Sequence, residues 1–449
     1  MNETRLPVTP TIVAGKRKIK AWQFALAIPV VLGLGGWITS EVMTRRALSE
    51  VNSELSKLKA MGIPTTPAAM RRKVDVNQNA ADLYRRAMEL HTMIGRTAPR
   101  LRRLKGGSYD PADLPAYRKW VASQEPTMKV VREAANKSDC DFQRNWELGA
   151  NLLLPEFADM KGFVKIAAFK SGELAAQGKF RESMDWMRTG LQVARHAREP
   201  ILIGQLVAIA CESIVYAELQ GQIDQFGTNP AFQQAARQLL GSLGDLPSIV
   251  DGMKGEVMSM VVTFDQLDSG ELKLSDLVPS QEASGFDVGK RIKDWSMQQP
   301  MVRRQVEARI LNRYRRHISS LLENQGDYHV QVFSDLDKEF MDDQTMVGQL
   351  ATIFAPVFAQ AGVSVPRLDA SRRLTRCGLE LWANVPFPEK LQGIHDWEID
   401  PFTKKPFVYR RDKGYFVLYS VGANGKDEGG HRTSARSSDD IQFNFRRGN

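Results

Sequence analysis

The stretch VRRQVEARILNRYRRHISSL, residues 302–321, reads as one helix. Val302, Val306, Ile310, Tyr314, Ile318 and Leu321 recur every three or four positions, the spacing that aligns side chains on one face of a 3.6-residue turn. Arg303, Arg304, Arg309, Arg313, Arg315 and Arg316 occupy the other faces. The pattern predicts an apolar stripe turned to a core and an arginine surface that is solvated or faces a membrane. No nucleic-acid-binding motif accompanies these arginines, and a second basic cluster (Arg96, Arg100, Arg102, Arg103 and Lys105) reads the same way, so nucleic acid is not an expected partner.

Outward from this helix, residues 76–385 keep the same texture: amphipathic stripes and few β-branched alternations. The run Glu173 to Phe180, followed by Ser183, Met184 and Trp186, looks like the turn of one tetratricopeptide-type helical hairpin. One copy without a 34-residue period predicts a helix pair in an irregular bundle rather than an array. Residues 270–300, rich in Ser, Asp, Gly and Gln, are the expected internal loop. Two apolar stretches, 201–216 and 344–366, are interrupted by Gln205 and Glu212 in the first and by Gln349, Thr352, Pro356 and Gln360 in the second. Both are expected to be buried helices; a second membrane crossing is the competing reading for 344–366.

At the N-terminus, AWQFALAIPVVLGLGGWITS, residues 21–40, holds twenty residues without a charge. At 1.5 Å per residue such a helix is about 30 Å long, the thickness of a bilayer's hydrocarbon core. Trp22 and Trp37 stand near its ends, where headgroup-level rings are favoured. Arg5, Lys16, Arg17, Lys18 and Lys20 precede it, whereas Arg45, Arg46, Lys57 and Lys59 after it are offset by Glu41, Glu50 and Glu54. The positive-inside rule then puts the N-terminus in the cytoplasm and the bulk of the chain outside the bacterial inner membrane. A cleaved signal peptide is the competing reading, but the apolar run continues past Gly33-Leu34-Gly35. Leu48, Val51, Leu55 and Leu58 then form a short heptad seam that serves either a weak homodimer or packing on the body, ended by Gly62-Ile63-Pro64.

At 449 residues the chain has room for about two or three domains. Its 61 Lys and Arg against 52 Asp and Glu leave +9, which suits an anionic partner such as phospholipid. Cys140, Cys211 and Cys377 have no C-x-x-C spacing, so neither a zinc site nor a disulfide framework is expected, and Cys211 reads as a small buried apolar residue. The histidines, His91, His196, His317, His329, His395 and His431, are scattered without a metal-binding signature. Gly172 to Lys179 is not a phosphate loop, because five residues separate its glycines and Phe180 stands where Ser or Thr would hold magnesium. No catalytic residue is assigned.

From Pro388 the pattern changes to short β-type runs. Phe407 to Arg410 and Tyr415 to Tyr419, joined by Asp412, Lys413 and Gly414, predict a hairpin. A Gly-rich acidic loop follows, Gly422 to Gly430, and the segment closes with Asp439-Asp440-Ile441. The D-P-x-x-x-x-P-F-x-Y start at Asp400, the string L-Y-S-x-G-A-N-G-K-D-x-G-G from Leu418 and the final D-D-I together resemble the C-terminal part of the major pseudopilin of type II secretion systems. That resemblance implies a calcium site in the final loop. Carried over, it names as candidate metal ligands Asp440, Asn424, standing where the family carries Asp and hence with one charge fewer, and the main-chain carbonyl at Ser420, with Asp427 a spare carboxylate nearby. A metal-free Gly-rich turn is the alternative. The apolar segment 21–40 departs from pseudopilins: it has no Glu and no processing site, so filament assembly is not implied. The whole arrangement is similar to large membrane-anchored proteins of planctomycete-like bacteria, which implies architecture and no activity.

The expectation is a mainly α chain: a cytoplasmic basic tail 1–20, a transmembrane helix 21–40, a stalk 41–75, an irregular helical bundle 76–366 and a pseudopilin-like module 367–449 with a small β-hairpin. The expected role is a membrane-tethered extracytoplasmic scaffold or interaction protein. An envelope hydrolase with a non-local active site is the alternative, and a buried His–Asp pair or a two-carboxylate pocket would favour it.

Overall fold

The computed structural model describes residues 21–102, 109–277, 295–323, 330–354, 358–391, 393, 395–412, 414–430 and 439–443, with the backbone alone for 21–37. The basic tail 1–20, Arg103, Lys105 and the loop portion 278–294 lie outside the described residues.

The chain is mainly helical. Thirteen of its described helices organise it: α1 (Ala21–Ala60), α2 (Ala81–Ile94), α3 (Leu114–Ser123), α4 (Glu125–Ala135), α5 (Glu156–Ala176), α6 (Phe180–His196), α7 (Leu202–Phe226), α8 (Pro230–Gly241), α9 (Ile249–Ser269), α10 (Pro300–Glu323), α11 (Val330–Met341), α12 (Met346–Phe354) and α13 (Phe358–Ala383). A small antiparallel sheet follows, β1 (Val408–Asp412), β2 (Tyr415–Ser420) and β3 (Ile441–Gln442), in the order β1-β2-β3.

The stripe at 302–321 lies on α10, and Val302, Val306, Ile310, Tyr314 and Ile318 are buried as its spacing predicts. The arginines do not follow the expectation. Arg303 reaches Asp268 on α9, Arg304 reaches Asp268 and Glu307, Arg309 reaches Asp343, Arg313 reaches Asp337 on α11, Arg315 reaches Glu54 on α1, and Arg316 reaches Glu339 on α11. Periodicity identifies the faces of a helix but not what stands opposite them. Because α10 packs against α1, α9, α11 and α12, its polar faces meet carboxylates instead of open solvent or lipid.

α1 is one unbroken helix through the expected anchor and stalk. Ile38, Val42 and Met43 are exposed, and burial begins at Ala47, continuing at Val51 and Leu58. The seam therefore packs on the body: Val51 and Leu58 join the same core as Val306 and Tyr314, while Leu48 remains exposed. The helix ends where Gly62 adopts φ +76° and the Ile63 N–H donates to Leu58 O at 3.1 Å, closing the last turn.

Two consecutive helix pairs follow: α5 and α6 pack on each other as a hairpin, whereas α8 leaves α7 to pack against α6, and α13 packs against α7 and α8. The first is the one expected from 173–186, turning at Gly178 (φ +75°). The second escaped the sequence reading although it is signalled: the Asn229 side chain accepts from the N–H groups of Ala231 and Phe232, and Pro230 opens α8.

There are two main cores, and α7 serves both. Ala208, Cys211, Val215 and Leu219 face one core with α5, α6 and the sheet; Leu202, Ile209 and Tyr216 face the other with α9 and α10. A helix buried on two sides is apolar all round. This explains why α7 is long and apolar enough to cross a membrane by length and composition while most of its apolar window is buried in the fold. The stretch 344–366 is divided between α12 and α13, and Leu350, Ala351, Phe358, Ala361 and Val365 pack in the second core. α13 also crosses the expected module boundary at 366/367, giving Leu368 to one core and Leu374, Cys377 and Leu381 to the other.

Candidate functional site

The C-terminal sheet brings the Gly-rich acidic loop and the Asp439-Asp440 pair together. β1 and β2 pair from Val408↔Tyr419 to Asp412↔Tyr415, so two residues join them, the second being Gly414 at φ +82°. β3 adds a third strand to the expected hairpin through Ser420↔Ile441, and this pairing sets Asp439 and Asp440 beside the loop 420–430. Phe416, Leu418 and Phe443 anchor the sheet in the core shared with α13, where Gly378 leaves room for the Phe443 ring. The D-P-F turn locks underneath. Buried Asp400 accepts from the Phe402 N–H at 2.9 Å and from the Ser420 hydroxyl, and burial raises its pKa above the usual carboxylate range despite those donors.

The four candidate ligands meet different fates. Ser420 is fully buried and its Oγ accepts from the Gly422 N–H at 3.0 Å, in addition to its bond with Asp400. Asn424 Oδ1 accepts from the Lys426 N–H at 2.8 Å. Asp427 Oδ1 accepts from the Tyr419 hydroxyl at 2.7 Å and the Gly429 N–H at 2.8 Å; the Tyr419 bond holds its pKa low, while burial pushes Tyr419 up to about 12. Asp440 Oδ2 accepts from the N–H groups of Glu428 and Gly430, at 3.2 and 2.8 Å, and Oδ1 is buried without a partner. Burial raises the Asp440 pKa, with Glu428 and Asp427 adding repulsion.

Two further carboxylates belong to this loop and were not assigned roles by sequence. Glu428 accepts from the Asp439 N–H at 2.7 Å and from the Asn424 amide at 3.1 Å, and Asp439 accepts from the Asn424 N–H at 2.9 Å and pairs with Arg367 of α13. Hard carboxylate and amide oxygens suit calcium, which takes six to eight of them. Among the described residues, however, no three His, Cys, Asp or Glu side chains converge as a metal site, and the one open buried oxygen is Asp440 Oδ1. Residues 431–438, which complete the loop, lie outside the described residues.

Two buried His–Asp pairs bear on the hydrolase alternative. His317 Nε2 lies 3.2 Å from Asp337 and its Nδ1 lies 2.9 Å from Arg313 O, in a cavity of about 10 Å³. His91 Nε2 lies 3.9 Å from Asp159, whose other oxygen pairs with Arg96 at 3.0 Å. A third buried histidine, His196, bonds the Tyr84 hydroxyl at 2.9 Å, and burial lowers its pKa to about 4, which keeps the ring neutral at pH 7. Cys140, Cys211 and Cys377 are buried free thiols; burial pushes Cys211 and Cys377 up to about 12 and Cys140 higher still, the setting of structural rather than reactive cysteines.

A wider concavity lies elsewhere, an open cleft of about 710 Å³ between α8, α13 and the segment leading to β1, lined in part by Arg237, Leu240, Arg376, Glu380, Asn384 and Trp397. Compared with known proteins, the chain matches no family model, no curated protein and no solved structure.

Proposed function

We propose that the protein is a membrane-tethered extracytoplasmic scaffold or interaction protein, held in the bacterial inner membrane by residues 21–40. The observation that carries this reading is the unbroken α1: its charge-free half leads directly into a half clamped to the body by Val51, Leu58 and the Arg315–Glu54 ion pair at 2.6 Å. A tether of this kind sets the body beside the lipid without a flexible linker. A weak homodimer through the stalk would use the exposed Val42, Met43 and Leu48, because Val51 and Leu58 are committed to the core shared with α10. Protease added to intact spheroplasts should remove a C-terminal tag without lysis. A tag protected until the membrane is opened would reverse the orientation and with it this role.

Calcium stabilisation of the C-terminal loop belongs to the same reading. Its support is the buried Asp440 Oδ1 without a hydrogen-bond partner, beside Glu428 and Asp427, whose like charges disfavour the Asp440 carboxylate unless a cation offsets them. Melting the purified protein with calcium and with chelator should give separated curves, and Asp440→Ala should merge them. Coincident wild-type curves would leave the loop as a metal-free turn.

The hydrolase alternative rests on the buried His–Asp pairs. At His317 the surrounding cavity of about 10 Å³ is at the lower limit of the roughly 10–15 Å³ that admits a single water, so that pair has no space for a substrate.

A further inference from the structure

The arginines of α10 and those of α13 differ in one respect. Each α10 arginine named above has a carboxylate partner, whereas Arg372 and Arg376, one turn apart on α13, form no ion pair among the described residues. Arg372 is 9% exposed and donates to Gly244 O at 2.8 Å; Arg376 donates to Leu240 O in the last turn of α8. The Nε atom of each is buried with no hydrogen-bond partner. Burial and mutual repulsion depress the Arg376 pKa. The carbonyls at the end of a helix supply about half a negative charge, which offsets two guanidiniums only in part. Among the described residues neither guanidinium pairs with a carboxylate.

The cleft of about 710 Å³ opens at Arg376, and that volume falls in the usual range of small-molecule sites. The Arg376 guanidinium lies 3.6 Å from the centre of the Trp397 ring, which holds it in a stacked position. At the rim Arg237 pairs with Glu380 through two bonds of 2.9 and 2.8 Å, so those two charges cancel. Among the described residues the lining therefore carries one positive charge without a carboxylate partner, an aromatic face and the apolar wall of Leu240. The geometry points to this cleft as a binding site for a monocarboxylate on an apolar body, its carboxylate on Arg376 and its body along Trp397 and Leu240. A dianion such as phosphate is a poorer match, since the cleft neutralises one charge and offers apolar surface to the rest. The carboxylate can belong to a free small acid or to the C-terminus of a peptide.

The test titrates the purified full-length protein with benzoate and with N-acetyl-Ala-Phe, followed by tryptophan fluorescence and saturation-transfer NMR, with N-acetyl-Ala-Phe-amide and inorganic phosphate as comparators. The expected result is a dissociation constant of about 1 mM for at least one carboxylate probe, with the tighter one identifying the source, and binding at least about tenfold weaker for the amide and for phosphate. Arg376→Gln should weaken the carboxylate probe by a similar factor. Trp397→Phe, which keeps a ring in place, should abolish the fluorescence response while leaving saturation transfer. Equal binding of the acid and its amide, unchanged affinity in Arg376→Gln, a persisting fluorescence response in Trp397→Phe, or no transfer from either carboxylate at millimolar concentration would each overturn the assignment.

Discussion

Replacing Asp337 by Ala should lower the unfolding free energy by about 3–5 kcal/mol, the range for removing one partner of a buried ion pair. Asp337 sits 2.5 Å from Arg313 Nη2 and 3.2 Å from His317 Nε2, and all three residues are buried. The Arg313 guanidinium also lies over the rings of Phe340 and Phe358, at 4.3 and 4.7 Å, so it cannot turn to solvent without opening the second core. The loss arises less from the missing attraction than from a guanidinium left in low dielectric without its anion. Combining Asp337→Ala with Arg313→Met should therefore cost less than Asp337→Ala alone, because the stranded charge is gone. Urea unfolding of the full chain measures both. A single-variant loss below about 1 kcal/mol, the value of an exposed pair, would mean that water reaches this network.

Gly255→Val and Gly221→Ala should change stability in opposite directions. Gly255 lies where α9 crosses the start of α7, and a Cβ there would stand 2.1 Å from Pro200 O and 3.0 Å from Ile201 Cα. Both obstacles are backbone, so relief requires moving one element away from the other, and Val adds two methyl groups beyond that Cβ. The expected loss is about 3 kcal/mol, the upper part of the overpacking range. Gly221 lies within α7 with nothing inside 4 Å of its added Cβ, so Ala there removes unfolded-state freedom at no steric cost. A gain of about 0.5–1 kcal/mol is expected. Thermal melts of the two variants check the signs, and a neutral Gly255→Val would mean that α9 and residues 200–201 do not meet backbone to backbone.

The helical class, the α10 stripe, the turn at Gly62, the hairpin at Gly178 and the β-hairpin near Gly414 were all legible as local signals. Each depends on residues within a few positions of one another: apolar spacing, a glycine at positive φ, a turn between two β-type runs. The turn into α8 at Asn229-Pro230 carried the same kind of signal and was passed over. The C-terminal loop was legible as a motif, but the hydrogen bonds of its candidate ligands were not. Asp427 is engaged by Tyr419 and Ser420 by Asp400, contacts that the order of residues does not announce.

By itself, then, the amino-acid sequence determined where the chain turns, which helix faces are apolar and that a charge-free segment precedes the body. Tertiary structure alone decided what those faces meet. It turned the α10 arginines from a surface into a network of ion pairs, set α7 between two cores, packed the stalk on α10 and placed Arg376 beside an open cleft with no carboxylate paired to it among the described residues. The reason is the range of the interactions. Backbone preference and side-chain periodicity act within a turn or two of the helix, whereas burial and charge pairing depend on residues such as Glu54 and Arg315, which are separated by 261 positions and meet only when the chain is folded.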